Sequence, residues 1–93
     1  MIKGLIAPLL TPFDDNLNLD QSLYNDLAKH LLATGVSGLA PFGTTGEALS
    51  VSHSERKAAL EGLVKAGIDP AVMIPGTGLC NLPDTIDLCQ HAV

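Results

Sequence analysis

The chain has 93 residues, of which 46% are apolar and 16% charged, and its formal net charge is −5. A chain of this length makes at most one small domain. The acidic balance, without a run of lysine or arginine, argues against nucleic acid or a membrane surface as partner, and no apolar run approaches the roughly 18 residues of a membrane span. Because an average soluble domain is about 25% charged, the composition predicts a segment of a larger body.

Cysteine usage indicates a reducing compartment. Cys80 and Cys89 are too few for a secreted disulfide scaffold, and together with His91 they match no zinc spacing. We therefore interpret both cysteines as small buried hydrophobes in the cytoplasm, and we predict no metal site. The apolar run Gly4–Leu10 is short and contains Pro8, so it is interpreted as a strand and not as a signal peptide.

The first predicted unit is a strand followed by a helix. The run Gly4–Leu10 lacks the alternation of a half-exposed strand, which favours a strand covered on both faces, as in a parallel sheet. Asp20 can cap the following helix, and Gly35 can end it in a left-handed conformation. Leucines with helical spacing predict its buried face: Leu23, Leu27 and Leu31.

The second unit repeats this order. Val36–Pro41 is its predicted strand. The motif Ser52-x-x-Glu55 predicts a capping box at the start of the second helix, and Gly67 lies just past the helix end. The predicted buried face of this helix consists of Leu60, Leu63 and Val64.

The third unit begins with the predicted strand Ala71–Pro75. Pro83 opens the third helix, because its missing N–H is no loss in a first helical turn. The predicted buried face is Ile86, Cys89 and Val93. No glycine, proline or polar tail follows this pattern, so we predict that residues 1–93 are the N-terminal part of a single domain truncated within the third helix.

The order of elements predicts an α/β fold. Each β-α unit is a little over thirty residues long, as parallel βαβ units with right-handed crossovers require. Each predicted strand contains or ends on a proline and leads into a loop of threonine and glycine. We therefore expect Thr11, Thr44 and Thr77 to lie near a common edge at the carboxyl ends of the strands, where parallel α/β proteins bind ligands.

The loop Gly43–Glu47, with the sequence Gly-Thr-Thr-Gly-Glu, is the main candidate for chemistry. Its glycines permit close approach of the backbone to a ligand, and Thr44 and Thr45 place hydroxyls beside backbone N–H groups, a set that suits a carboxylate. A phosphate site is disfavoured because the Gly-Lys-Ser/Thr ending of a P-loop is absent. From these residues alone, an ordinary strand-to-helix turn is the simpler interpretation. A small anion-binding module is a further one.

Five motifs occur along the chain in a fixed order: Pro8-x-x-Thr11-Pro12-Phe13, Gly35-Val36-x-Gly38, Gly43–Glu47, Leu49-Ser50 with Glu55-Arg56, and Pro75-Gly76-Thr77-Gly78. Together they closely resemble the opening of the dihydrodipicolinate synthase/N-acetylneuraminate lyase family. The resemblance covers the whole chain. The Gly-Thr-Thr-Gly-Glu block is its most specific part, and it changes the interpretation of this loop from structural to functional.

The resemblance implies a (β/α)₈ TIM barrel, of which this chain supplies the first three β-α units, and in the family a homotetramer. It also implies class I aldolase or lyase chemistry without a separate cofactor. In that chemistry a lysine near the end of the sixth strand forms a Schiff base with pyruvate or another 2-oxo acid, and the enamine reacts with an aldehyde. The residue matching Thr44 contacts a proton-relay tyrosine, and Thr44 with Thr45 holds the carboxylate of the 2-oxo acid.

The lysine and the tyrosine of this chemistry have no counterpart in the chain. Lys3 precedes the first strand, and the other lysines are predicted on helices, facing solvent: Lys29, Lys57 and Lys65. Tyr24, the only tyrosine, lies in the first helix. We therefore expect this chain alone to be catalytically inactive. The alternatives are a barrel fragment that acts only through self-association along open sheet edges, and another 2-oxo acid aldolase or dehydratase of the family.

Within the family, threonine rather than serine at position 44 favours the synthase branch over the neuraminate lyases. His53 matches a position that some synthases use for feedback binding of lysine. However, Arg56 and Cys80 stand where those enzymes have other polar groups, so a solvated histidine at the helix start is the competing interpretation. Glu47 is predicted to fix the loop.

Overall fold

The computed structural model describes residues 3–93. The strands are β1 (Ile6–Leu9) and β2 (Gly38–Pro41), and the α-helices are α1 (Gln21–Ala33), α2 (His53–Lys65) and α3 (Leu82–Ala92). Single-turn 3₁₀ helices precede and follow α2, at Ala48–Ser50 and Pro70–Val72. None of the helices in residues 3–93 is long and apolar enough to cross a membrane.

The sheet is parallel, as predicted. β1 pairs with β2 so that Ile6 lies opposite Gly38 and Leu9 lies opposite Pro41. The carboxyl ends of both strands therefore lie at one edge of the sheet. The α1 helix forms the crossover between them, so the first βαβ unit has the expected order.

The predicted third strand is shorter than expected. Residues Pro70–Val72 form a 3₁₀ helix, because Pro70 opens a helical turn and the side chain of Asp69 accepts a hydrogen bond from the N–H of Ala71 at 2.9 Å. Only the segment from Met73 onward joins the sheet. The prediction of a full strand over Ala71–Pro75 was thus wrong in length.

The pairing of this segment nevertheless confirms its direction and its place beside β2. Met73 forms a parallel bridge with Leu39. The N–H of Ile74 donates to the carbonyl of Leu39 at 2.8 Å, and the N–H of Gly76 donates to the carbonyl of Pro41 at 2.7 Å. The spatial order is therefore β1, β2 and then residues 73–76.

The predicted helix ends are confirmed. The side chain of Asp20 accepts a hydrogen bond from the N–H of Leu23, and both hydrogen bonds of the capping box between Ser52 and Glu55 are present. Gly35 (φ 106°) and Gly67 (φ 102°) follow α1 and α2 in a left-handed conformation. For α3, Pro83 lies in the first turn as predicted, and the side chain of Asn81 supplies the cap.

The buried faces of α1 and α2 are only partly those predicted. In α1, Tyr24 and Ala28 are buried, whereas Leu23 is 54% exposed. In α2, the predicted Leu60 and Leu63 are buried, but Val64 is 44% exposed, and Arg56 and Ala59 take the remaining inward positions. The buried face of each helix is therefore rotated relative to the predicted one. It includes alanines, a tyrosine and an arginine, which a pattern of leucine and valine does not detect.

The predicted face of α3 was wrong. Ile86, Cys89 and Val93 are exposed, and Leu88 is the buried residue of this helix. The face that meets α2 carries Asp87 and His91, which contact side chains of α2. Cys80 is exposed as well, so the interpretation of both cysteines as buried hydrophobes is also wrong.

The core lies between the sheet and the helices that pack on one of its faces. Its central residues are Leu9, Tyr24, Ala28, Leu39, Phe42, Val51, Ala59, Leu60, Leu63 and Ile68. Pro8 of β1 points away from this core and is exposed, so within residues 3–93 the sheet is covered on one face and not on both. The α/β class and the parallel β-α order are those predicted.

Candidate active-site edge

The loop Gly43–Glu47 follows β2 at the carboxyl edge of the sheet. Within it, the N–H of Glu47 donates to the carbonyl of Thr44 at 3.0 Å, and the N–H of Ala48 donates to the carbonyl of Gly43 at 3.3 Å. These bonds make a closed turn that leads into the 3₁₀ helix Ala48–Ser50. Thr44 and Thr45 stand at its tip, and both are exposed.

Thr11 fastens this turn to the loop after β1. Its buried hydroxyl donates to the carbonyl of Gly46 at 2.5 Å. A Cβ added to Gly46 would lie 2.6 Å from the carbonyl oxygen of Leu9, so the two loops approach more closely than any other residue type would permit. The Thr-Pro sequence after β1 thus serves to hold the Thr44 loop, a role that its spacing alone did not reveal.

The loop after the third segment closes on the same turn from the other side. A Cβ added to Gly76 would lie 2.2 Å from the carbonyl oxygen of Phe42. Thr77, however, turns toward α3, where its hydroxyl oxygen lies 3.3 Å from the Sγ of Cys89. The three loops that carry Thr11, Thr44 and Thr77 therefore meet at one edge as expected, but only the Thr44 and Thr45 hydroxyls are exposed there.

Thr44 lines an open cavity of about 430 Å³ beside the turn. Its other walls include Phe42, Glu47, Ala48 and Gly78, whereas Thr45 does not line it. Of the two threonines, only Thr44 therefore contributes to the wall of this cavity. The carboxylate of Glu47 has no hydrogen bond or ion pair to the part of the chain that the structure describes, so Glu47 shapes the loop through its backbone.

Two residues of the turn adopt a left-handed backbone without being glycine. Phe42 has φ 61° and Glu47 has φ 55°. Such conformations cost on the order of 1 to 3 kcal/mol each and persist only where the surroundings fix them. The tethers from neighbouring loops therefore determine the shape in which the threonines are presented.

Arg56 is the functional candidate that sequence reasoning missed. It is 1% exposed, and its guanidinium donates to the carbonyl of Ala48 at 2.8 Å and to that of Gly78 at 2.9 Å. Burial lowers the pKa of this guanidinium below its ordinary value. Its spacing from Leu60 and Leu63 along α2 places it on the buried face, which was the available clue.

Tyr24 lies beneath the turn and outside the cavity. Its ring stacks on Phe42 with centroids 5.8 Å apart, and its hydroxyl is buried without a hydrogen-bond partner among residues 3–93. Burial raises the pKa of this phenol above its ordinary value. Loss of its proton is therefore disfavoured, and its ring packs against the side chain of Phe42.

The lysines of the described residues all lie away from this edge. Lys3, Lys29 and Lys65 are exposed. Lys57 is half-buried, contrary to expectation, because it pairs with Asp87 of α3. His53, at the start of α2, keeps 31% of its side chain exposed, lies 2.7 Å from the same carboxylate and does not line the cavity beside Thr44. No group of three or more potential metal-ligating side chains occurs in residues 3–93.

Comparison with known proteins shows the family of this chain. The Dihydrodipicolinate synthetase family matches residues 1–93. The 4-hydroxy-tetrahydrodipicolinate synthase of Bartonella quintana is 35% identical over 92 residues, which cover 99% of this chain and 31% of that enzyme. The crystal structure of dihydrodipicolinate synthase from Agrobacterium tumefaciens is similar with a TM-score of 0.91 and 35% identity, over 96% of this chain and 31% of that one.

The similarity extends to the lyase branch. The N-acetylneuraminate lyase of Proteus mirabilis matches with a TM-score of 0.85 and 41% identity, over 96% of this chain and 30% of that one. The chain thus spans about a third of the length of the relatives it matches, and its parallel β-α order corresponds to part of their (β/α)₈ barrel. The chain therefore belongs to the dihydrodipicolinate synthetase family of lyases and synthases.

Proposed function

We propose that this chain supplies the 2-oxo-acid-binding edge of a Schiff-base lyase or aldolase, most closely a dihydrodipicolinate synthase that condenses pyruvate with an aldehyde. The observation that carries the proposal is the tethered turn at the carboxyl edge of the sheet, where Thr11 holds the carbonyl of Gly46 at 2.5 Å. This edge is where parallel α/β barrels bind substrates.

The turn suits a carboxylate because its donors are uncharged. Hydroxyls and backbone N–H groups of Thr44 and Thr45 can hold the carboxylate of pyruvate without a cationic side chain that would also bind the neighbouring carbonyl oxygen. Their exposure leaves both hydroxyls free to meet a ligand. Thr44 has the additional proposed role of contacting a proton-relay tyrosine, as the family resemblance implies.

The covalent step is assigned to a lysine that these residues do not provide. In the proposed reaction, a lysine amine attacks the carbonyl carbon of pyruvate and water leaves, which gives an iminium that acts as an electron sink. Loss of a methyl proton gives the enamine, and its carbon attacks the aldehyde carbon while the aldehyde oxygen takes up a proton. Water then hydrolyses the re-formed iminium, which releases the product and the lysine amine. We propose that the complete enzyme is a cytoplasmic homo-oligomer, a tetramer in the family pattern.

A chimera tests the proposal directly. Residues 1–93 would replace the matching third of the Agrobacterium tumefaciens synthase, whose structure is similar over 96% of this chain. We expect borohydride and pyruvate to add one pyruvate-derived mass per subunit, and we expect synthase activity to be retained. A folded chimera that forms the adduct but whose turnover does not depend on Thr44 would contradict the proposed role of the loop.

The contribution of the loop is measured in the same chimera. Replacing Thr44 by valine keeps the shape and removes the hydroxyl, so turnover should fall at least about tenfold, or about 1.4 kcal/mol. The control is Ser22→Ala, which removes an exposed hydroxyl from α1, away from the cavity that Thr44 lines. If Thr44→Val and the control variant had equal turnover, the role of the loop would be purely structural.

Lyase chemistry on a different 2-oxo acid is the second candidate. The observation that favours it is the 41% identity to the Proteus mirabilis N-acetylneuraminate lyase, which exceeds the 35% to the Agrobacterium synthase. Threonine at position 44 favours the synthase branch instead. Grafting the chain into the lyase as well, and comparing which chimera keeps its parent's turnover, distinguishes the two.

The self-association alternative rests on apolar side chains that residues 3–93 leave uncovered. They include Leu49 at 90% exposure and Leu17 at 82%. Such surface promotes pairing between copies or with other parts of a barrel. Sedimentation of the isolated chain tests this alternative, because a monomer at micromolar concentration would exclude it.

A further inference from the structure

Arg56 is a buried cation whose charge is met by carbonyl oxygens alone. It is 1% exposed, and none of the ion pairs among residues 3–93 includes it. Its terminal nitrogens donate to the carbonyls of Ala48 and Gly78 at 2.8 and 2.9 Å, and its Nε has no partner among those residues. A buried charge without a carboxylate is costly, so these two contacts carry most of its compensation.

The two carbonyls belong to different loops of the active-site edge. Ala48 directly follows the Gly43–Glu47 turn, and its carbonyl also accepts the N–H of Val51 at 3.2 Å. Gly78 belongs to the loop after the third sheet segment, whose Gly76 packs against the carbonyl of Phe42. The guanidinium therefore spans the gap between these loops from its position on α2.

The turn needs such a tether because its backbone is strained at both ends. Phe42 and Glu47 hold left-handed φ values of 61° and 55°. Thr11 fixes the turn at Gly46, and Arg56 fixes it two residues later at Ala48. The two contacts flank the left-handed Glu47 and hold the backbone at the end of the turn that follows Thr44 and Thr45.

We propose that Arg56 is a positioning residue that locks the Gly43–Glu47 turn in the conformation that binds the 2-oxo acid carboxylate. It touches no substrate and acts through the carbonyls of Ala48 and Gly78. A lysine cannot replace it, since a single ammonium lacks the planar fork that reaches both oxygens. The consequence for substrate binding rests on the proposed function, whereas the consequence for loop rigidity does not.

Hydrogen exchange of the 93-residue chain tests the rigidity. In Arg56→Lys and Arg56→Met, the amides of Glu47, Ala48 and Val51 should exchange about tenfold faster or more, while amides of the α1 helix keep their rates. The matched control is Lys29→Met, which removes an exposed positive charge from α1. Unchanged loop exchange in Arg56→Lys would overturn the proposal, and so would uniform acceleration throughout the chain in that variant.

The Agrobacterium chimera tests the consequence for substrate. Arg56→Lys should raise the KM for pyruvate about tenfold or more, because the cradle is disordered, and should lower kcat less than Thr44→Val does, because the Thr44 hydroxyl is displaced but not removed. An unaltered KM would overturn the link to substrate binding. If the chimera is inactive even with Arg56 in place, the proposed function fails, and faster loop exchange would still support the positioning role.

Discussion

At the scale of single residues, the glycines of the Thr44 turn differ in what surrounds them. An added Cβ at Gly46 would lie 2.6 Å from the carbonyl oxygen of Leu9, whereas one at Gly43 would have nothing within 4 Å. Neither glycine is among the residues with positive φ. The requirement at Gly46 is therefore one of space, and Gly43 is a matched control in the same turn.

Gly46→Ala should lower the free energy of unfolding by about 1 to 3 kcal/mol, because the new methyl group must push β1 and the turn apart. Gly43→Ala should be neutral, or stabilising by less than about 1 kcal/mol, since it only restricts the unfolded chain. Urea denaturation of both variants measures the difference. Equal destabilisation would show that the close approach of the two loops is not what Gly46 provides.

Only part of the candidate site could be predicted from the sequence. The Gly-Thr-Thr-Gly-Glu pattern indicated a functional loop only through its resemblance to the family, since its residues alone fit an ordinary strand-to-helix turn. The roles of Thr11 and Arg56 depend on contacts across 35 and 22 residues of sequence, to Gly46 and Gly78, which no local pattern encodes. Their discovery required the parallel pairing that brings the loops together.

At the scale of elements, helix ends were predicted better than helix faces. Caps such as Asp20 and the Ser52–Glu55 box depend on neighbours in sequence, and they are confirmed. The face of α3 depends on how the helix lies against α2, and the predicted Ile86 and Cys89 are exposed instead. Because α3 meets α2 through polar side chains, its apolar residues do not mark the face that is buried.

The contact between α2 and α3 is electrostatic and should depend on pH. Asp87 accepts a hydrogen bond from Lys57 and lies 2.7 Å from the Nε2 of His53. The Lys57 hydrogen bond is the largest cause that holds the pKa of Asp87 below its ordinary 3.8, with smaller contributions from the charges of Lys57 and His53. Because the folded-state pKa is depressed, the stabilisation is present above the unfolded value and is lost as pH falls through the folded one.

We therefore expect α3 amides to exchange progressively faster as pH falls from about 5 toward 3, after correction for intrinsic exchange rates. Asp87→Asn should reduce this dependence, because the amide does not titrate, while the His91–Glu61 pair between the same helices is unchanged. Asp26→Asn, which changes an exposed carboxylate on α1, is the control and should behave like the parent chain. A parent chain and Asp87→Asn variant with the same pH profile would contradict the assignment.

At the scale of the whole molecule, the described residues provide one part of the proposed reaction, the binding of the carboxylate, and not the other, the Schiff base. They hold the proposed carboxylate cradle at the edge of the sheet, yet their lysines lie elsewhere: Lys3, Lys29, Lys57 and Lys65. A Schiff base requires an amine that is partly deprotonated and close to the bound carbonyl. Three of these lysines are exposed to solvent, Lys57 pairs with Asp87 of α3, and none of the four lines the cavity beside Thr44.

The isolated 93-residue chain should consequently stay unmodified when borohydride and pyruvate are added together. The Agrobacterium chimera, treated in the same way, should gain one pyruvate-derived mass per subunit on a peptide contributed by the Agrobacterium portion. Intact mass and peptide mapping measure both outcomes, and the chimera without pyruvate is the control for unspecific reduction. A stoichiometric adduct on Lys3, Lys29, Lys57 or Lys65 would show that this portion of the barrel carries its own nucleophile, and the proposed division between cradle and lysine would then be wrong.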